Sequence, residues 1–154
     1  MEYLSLTCAI ARSTKILGDS WSLLIMRDII FHKHSKFKQF KASKEKIASN
    51  ILTNRLKALL EMGLIEKLDP QGTKKSTTYI ATLRGLESIP IICQMYLFSI
   101  ESIDDSLLDD MQKNTKKQIK GDLSQFQKTK ISEYNTFVNE LKAELHLSKL
   151  ALKK

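Results

Sequence analysis

Cysteine is scarce in this sequence: Cys8 and Cys93 are the only two among 154 residues. Two thiols so far apart build no disulfide framework and show no metal-ligand spacing. Long hydrophobic runs are missing too, and none approaches the roughly 20 apolar residues of a membrane-spanning helix. The segment from Met1 to Arg12 lacks the basic start and long apolar core of a secretion signal. These absences make the cytoplasm the expected location and give no reason to expect a membrane partner.

Catalytic signatures are missing as well. The chain has no glycine-rich phosphate loop and no Ser/His/Asp or Cys/His constellation of recognisable spacing. No paired carboxylates stand in an apolar setting, and Asp104-Asp105 and Asp109-Asp110 read as solvated acids. His32 and His34 have no carboxylate or thiol beside them in sequence, which makes a poor metal set. An enzyme is not expected, and no cofactor is implied.

What is present describes an ordinary globular protein, with 42% hydrophobic and 27% charged residues. The net charge of +8 is unevenly spread. Residues 1–100 hold 15 Lys and Arg against 8 Asp and Glu, whereas residues 101–154 hold 10 against 9. The basic field therefore belongs to the first hundred residues, where it would attract a polyanion.

Periodicity divides that region into elements. "LTCAIARSTKIL" carries Leu6, Ile10 and Leu17 and stops at Gly18-Asp19, where Asp19 or Ser20 can cap the next helix. "SWSLLIMRDIIF" is apolar on most sides and is expected as the central core helix, with Trp21 and Leu23–Ile25 inside and Arg27-Asp28 a structural ion pair. "HKHSKFKQFKAS" is a basic link with a short helical turn anchored by Phe37 and Phe40. After a polar corner at 43–46 comes a helix over 48–62, and Gly63 is suited to end it in the left-handed conformation. Then the period changes. "LIEKL" and "STTYIATL" alternate as strands around the turn "DPQG", whose far side carries Lys74 and Lys75. Three helices followed by a basic-tipped hairpin is the order of a winged helix-turn-helix.

The 48–62 helix has a second pattern. Ala48, Leu52, Leu56 and Leu59 form one apolar stripe. The opposite face carries Asn50, Thr53, Asn54 and Lys57 beside Ser49, with no acid until Glu61. Exposed helix faces usually mix Glu with Lys, which pair and favour the helix; Asn and Thr do not. In a DNA major groove, Asn can pair with adenine and Thr can touch a thymine methyl. A plain solvated face is the competing reading. Lys36 and Lys38, with Lys41, Lys74 and Lys75, would meet phosphates of the same duplex, or serve only solubility. Arg55 could reach a phosphate or lock the helix to its neighbour.

An apolar helix over 84–100, "RGLESIPIICQMYLFSI", follows, in which Pro90 should kink the chain or end its first turn. Its Ile89, Ile92, Met95, Tyr96 and Phe98 exceed what one winged domain can cover, so a homodimer interface is expected there. Ile119, Leu123, Phe126, Tyr134, Phe137, Leu141 and Leu145 mark a further long helix beyond a break at Gly121-Asp122. The expected organisation is a mainly α chain, with a winged domain and dimer helix over 1–100 and a helical extension over 101–154.

These segments, taken in order, resemble the HxlR-type transcriptional regulators, winged-helix proteins similar in architecture to MarR regulators. "C-x-I-A-R-x-x-x-I-L-G-D-x-W-S-L-L-I-M-R-D" from Cys8, "F-K-Q-F" from Phe37, "I-A-S-N-I-L-T-N-R-L-K-A-L-L-E-M-G-L-I" from Ile47 and "Y-I-A-T-x-x-G" from Tyr79 carry the resemblance. It implies a homodimer on double-stranded DNA, with Ser49, Asn50, Thr53, Asn54, Arg55 and Lys57 at the duplex, and a small-molecule or redox effector. It also implies that Cys8 is a candidate sensor, with Arg12 one turn away to favour the thiolate; an inert small hydrophobe is the ordinary alternative. A winged-helix module for RNA or protein partners is the rival reading.

Overall fold

A computed structural model describes residues 7–70 and 77–151, with side chains described as far as Ser148. The chain divides into two compact units, Met1–Leu86 and Glu87–Lys154.

In the first unit, α1 (Ala9–Leu17) and α2 (Ser20–Ile30) meet at Gly18-Asp19. The Asp19 carboxylate accepts from the backbone N–H groups of Trp21 and Ser22 at 3.1 and 3.0 Å, which satisfies two donors left open by the first turn of α2. Ile25, Met26, Ile29 and Ile30 are fully buried, so α2 is the core helix expected. Trp21, Leu23 and Leu24 are only half-buried, because the buried face of α2 is centred on its later turns. In α1 the buried residue is Ile16, whereas Ile10 is exposed; Leu6 lies outside the described residues.

The five-residue α3 (Phe37–Lys41) is held at both ends. The Gln39 Oε1 accepts from the backbone N–H groups of Ser35 and Lys36, both at 2.8 Å. Phe40 is buried and Phe37 half-buried. Lys33 and Lys46, on either side, have φ of 56° and 55°, the left-handed region that non-glycine residues seldom occupy. Arg27 ties the following corner down: its Nη1 reaches the Glu45 carboxylate at 2.8 Å while its Nη2 holds Asp28 at 2.6 Å.

The next helix, α4 (Ser49–Glu61), buries Leu52, Leu56 and Leu59. Each buried leucine contributes about 1.5–3 kcal/mol over leaving it exposed. Ala48, expected in the stripe, is instead the exposed residue just before the helix, and Ile47 takes the inward position. Ile47 and Leu52 stand where a hydrophobic staple fixes the entry angle of a helix. At the far end Gly63 has φ of 68°. Its N–H donates to Leu60 O, and Leu64 N–H donates to Leu59 O, both at 3.0 Å, which is a Schellman ending.

β1 (Ile65–Lys67) and β2 (Tyr79–Ala81) pair antiparallel, with Ile65 opposite Ala81. Tyr79 N–H also donates to Ser35 O at 2.8 Å, so the segment before α3 edges the sheet. Ile80 and Ala81 are both buried, and the expected alternation fails because β2 has packing on both sides, including α2. The return strand ends early, because the Thr82 hydroxyl accepts from Gly85 N–H and opens α5 (Leu83–Leu86). A Cβ at Gly85 would lie 2.1 Å from Leu64 O, so only glycine allows α5 this close to the backbone leading into β1. The "DPQG" turn falls largely outside the described residues, as do Lys74 and Lys75.

The second unit holds α6 (Ile89–Ile100), α7 (Asp110–Gly121) and α8 (Leu123–Ala151), with a short 3-10 turn at Asp105–Leu107. The helix expected over 84–100 is thus interrupted, and Pro90, which has no N–H to donate, stands in the first turn of α6. Asp122 ends α7, and its carboxylate accepts from Gln125 N–H at 2.8 Å to begin α8. Ile119, Phe126, Tyr134 and Val138 are buried, whereas Leu123, Phe137, Leu141 and Leu145 are half-buried. Among the described residues, no helix is long and apolar enough to cross a membrane.

The Arg27 hydrogen bond holds the Glu45 carboxyl down from 4.5 to about 2. A depressed carboxyl contributes stability above its unfolded value and loses it as pH falls through the folded one. Glu45→Gln should therefore lower stability at neutral pH by about 1 kcal/mol or less, since solvent reaches the pair. The gap to wild type should close between pH 4.5 and 2, as chemical denaturation across that range would show.

Candidate nucleic-acid interface

The Leu stripe of α4 decides which of its residues face outward. With Leu52, Leu56 and Leu59 buried, Ser49, Asn50, Thr53, Asn54 and Lys57 are all exposed. Among the described residues nothing holds the side-chain amides of Asn50 and Asn54, so both keep a donor and an acceptor for an outside partner. Thr53 differs. Its hydroxyl donates to Ser49 O at 2.8 Å, within its own helix. With its hydroxyl proton engaged, Thr53 offers a methyl group and an acceptor oxygen outward. Lys57 stands 3.8 Å from Glu61 in a loose surface pair that a phosphate could displace.

Arg55 is placed elsewhere. Its Nη1 lies 3.4 Å from Asp19 Oδ2, and its Nε is buried. The helix-capping carboxylate of α2 therefore also anchors α4, a role for Asp19 that its sequence position signalled only in part.

The basic residues around α3 fall into two sets. Lys38 is exposed on α3 itself. Lys36 is half-buried, and its ammonium donates to the Thr78 hydroxyl across the edge of the sheet. Lys41 donates to Ile47 O at 2.5 Å and closes the turn into α4. Lys44 and Lys46, not singled out from the sequence, are exposed on that same turn. Its acid, Glu45, is already engaged by Arg27, so the turn presents mainly positive charge.

His34 Nδ1 lies 3.9 Å from Asp28 Oδ2, so a carboxylate six residues earlier, at the end of α2, does come near. Burial, together with the Arg27 charge, lowers the His32 pKa. Among the described residues no group of His, Cys, Asp and Glu could hold a metal ion.

An exposed helix of amides and hydroxyls, entered by a tight basic turn and followed by a β-hairpin, is the geometry of a DNA-reading winged helix. The family model for the HxlR-like helix-turn-helix matches residues 16–106, more than half of the chain. The chain belongs to this family. It is thereby a DNA-binding transcription regulator of HxlR type, with MarR-like architecture.

Solved structures agree with that placement. PA1607, described as a candidate transcription factor, is 26% identical with a TM-score of 0.60, over 71% of this chain and 75% of that one. A candidate MarR-family regulator from Porphyromonas gingivalis W83 is 26% identical with a TM-score of 0.54, over 63% of this chain and 94% of that one. Among curated proteins, none matches the chain. In this HxlR-like chain α3 and α4 stand as the helix-turn-helix pair.

If the α4 face reads bases, Asn50→Ala and Thr53→Ala should each cost roughly 1–3 kcal/mol on the specific site and little on random DNA. Alanine is the better helix former, so thermal stability should hardly change. Thr53→Ser should lose sensitivity to replacing thymine by uracil in the site, because only the methyl contact is removed. Equal losses of Asn50→Ala on specific and random duplexes, in titrations at fixed salt, would reduce the face to a phosphate surface.

Proposed function

We propose that this HxlR-like regulator acts in the cytoplasm as a homodimer on a pseudo-palindromic operator. The observation that carries the reading is the exposed face of α4: Ser49, Asn50, Thr53 and Asn54 together, unneutralised by acid and opposite a buried leucine stripe. In this reading Asn50, Thr53 and Asn54 meet base edges. Ser49 and Lys57 bind nearby phosphates with Lys36, Lys38 and the wing lysines Lys74 and Lys75. Lys36 would have to exchange its Thr78 partner for a phosphate.

The dimer reading rests on α6. Ile91, Met95 and Phe98 recur at i, i+4 and i+7 and are 41%, 52% and 90% exposed, one apolar face open to solvent. Ile92 and Tyr96 are half-buried. Ile89, expected in the interface, is buried within the single chain and has no surface left to offer a partner. Two copies joined along this face would present their α4 helices to successive major grooves about 34 Å apart.

Footprinting on the DNA beside its own coding region should give two protected half-sites about one helical turn apart. Affinity should fall steeply with salt, by about 0.9 log units per phosphate contact for each log unit of salt. Light scattering at micromolar concentration should give a dimer. A monomer would remove the half-site geometry, and preference for RNA or a protein partner over duplex would replace the function itself.

The effector reading assigns a redox or electrophile signal to Cys8, which is exposed at the start of α1. Cys93 is the weaker candidate, because burial pushes its thiol pKa up. Diamide should change operator affinity in wild type and leave Cys8→Ser unaffected. Identical responses of the two proteins would leave a bound small molecule as the signal.

A further inference from the structure

Arg55 is the one basic residue of α4 that does not share its exposed polar face. At about 100° per residue it lies roughly 140° around the helix from Asn50, next to the leucine stripe. Its side chain, 40% exposed, leans toward α2, with Nη1 3.4 Å from Asp19 Oδ2 and a buried Nε that has no hydrogen-bond partner among the described residues. Asp19 is itself fixed, since its two oxygens accept from Trp21 N–H, Ser22 N–H and the Ser22 hydroxyl. Ser22 is fully buried, so the carboxylate is seated on the core helix. A rigid anion at the start of α2 thus holds one cation in the middle of α4.

We infer that Arg55 is a positioning residue: through Asp19 it sets the rotation and tilt at which α4 presents Asn50, Thr53 and Asn54, and it contacts no phosphate. The inference rests on the DNA-reading function proposed for α4. It assigns specificity to a residue that never touches DNA. A phosphate contact adds affinity on any sequence, whereas a positioning residue matters where bases must be met in register.

The pair separates cleanly in experiment. Asp19→Asn keeps a good helix cap while removing the charge facing Arg55, and Arg55→Gln removes the other partner. Each should weaken operator binding about tenfold, within the range of coupled neighbours, while random DNA is held nearly as before. The double variant should be no worse than the weaker single, and the slope of affinity against salt should stay at the wild-type value. Arg55→Lys, which keeps a cation near Asp19, should recover part of the loss.

A drop of about one counterion in the salt slope for Arg55→Gln, with Asp19→Asn binding as wild type or tighter, would overturn the inference in favour of a phosphate contact. Additive losses, or no loss in either single, would overturn it as well. The same four proteins, melted without DNA, read the coupling independently, and additive melting shifts would mean that the two residues do not act on each other. If wild type bound no specific site at all, the DNA reading would fall, while the melting cycle would still report on Asp19 and Arg55.

Discussion

Burial of Leu52, Leu56 and Leu59 is the constraint on which the interface depends. A helix has one rotation about its axis to choose, and three leucines at this spacing choose it. Once they are inside, Ser49, Asn50, Thr53, Asn54 and Lys57 have no other place than outside. The poor helix formers are tolerated because packing on one face supplies what their propensity lacks. The left-handed ending at Gly63 then lets the chain reverse directly into β1, which packs against α4.

Charge works in two layers around that hydrophobic seat. The inner layer is structural: Asp19 with Arg55, Arg27 with Asp28 and Glu45, and Lys41 with a backbone carbonyl. Asp19–Arg55 ties α2 to α4, Arg27 ties α2 to the turn before α4, and Lys41 closes that turn. The outer layer is what these pairs leave unspent, namely Lys38, Lys44, Lys46 and Lys57. Because Asp19, Asp28 and Glu45 are each engaged by an arginine, the surface that remains is more basic than composition suggests. That favours a polyanion at the face where the amides stand.

Much of this was legible in the residues. Period 3.6 with Leu at the repeat gave away α4 and its orientation, Gly18-Asp19 the start of α2, and Gly63 the end of α4, since each signal is local. Other features were not. Ala48 looked like part of the stripe, but the helix begins after it and Ile47 turns inward instead. The left-handed Lys33 and Lys46 carried no glycine or asparagine to announce them. Thr82 read as strand and became a cap: its N–H still donates to Leu64 O, but its hydroxyl accepts from Gly85 N–H and the chain turns into α5.

By itself the sequence determined the order of the elements, the polar face of α4 and the family, because these depend on spacing along one chain. Only the tertiary structure decided the roles of single charged residues. Arg55, Lys36, Lys41 and Glu45 look alike in sequence, as charges on or near a basic helix pair. Their partners are Asp19, Thr78, Ile47 O and Arg27, and three of those four lie far along the chain. A charged side chain takes its function from whichever group lies within hydrogen-bond reach, and packing alone brings such distant groups together.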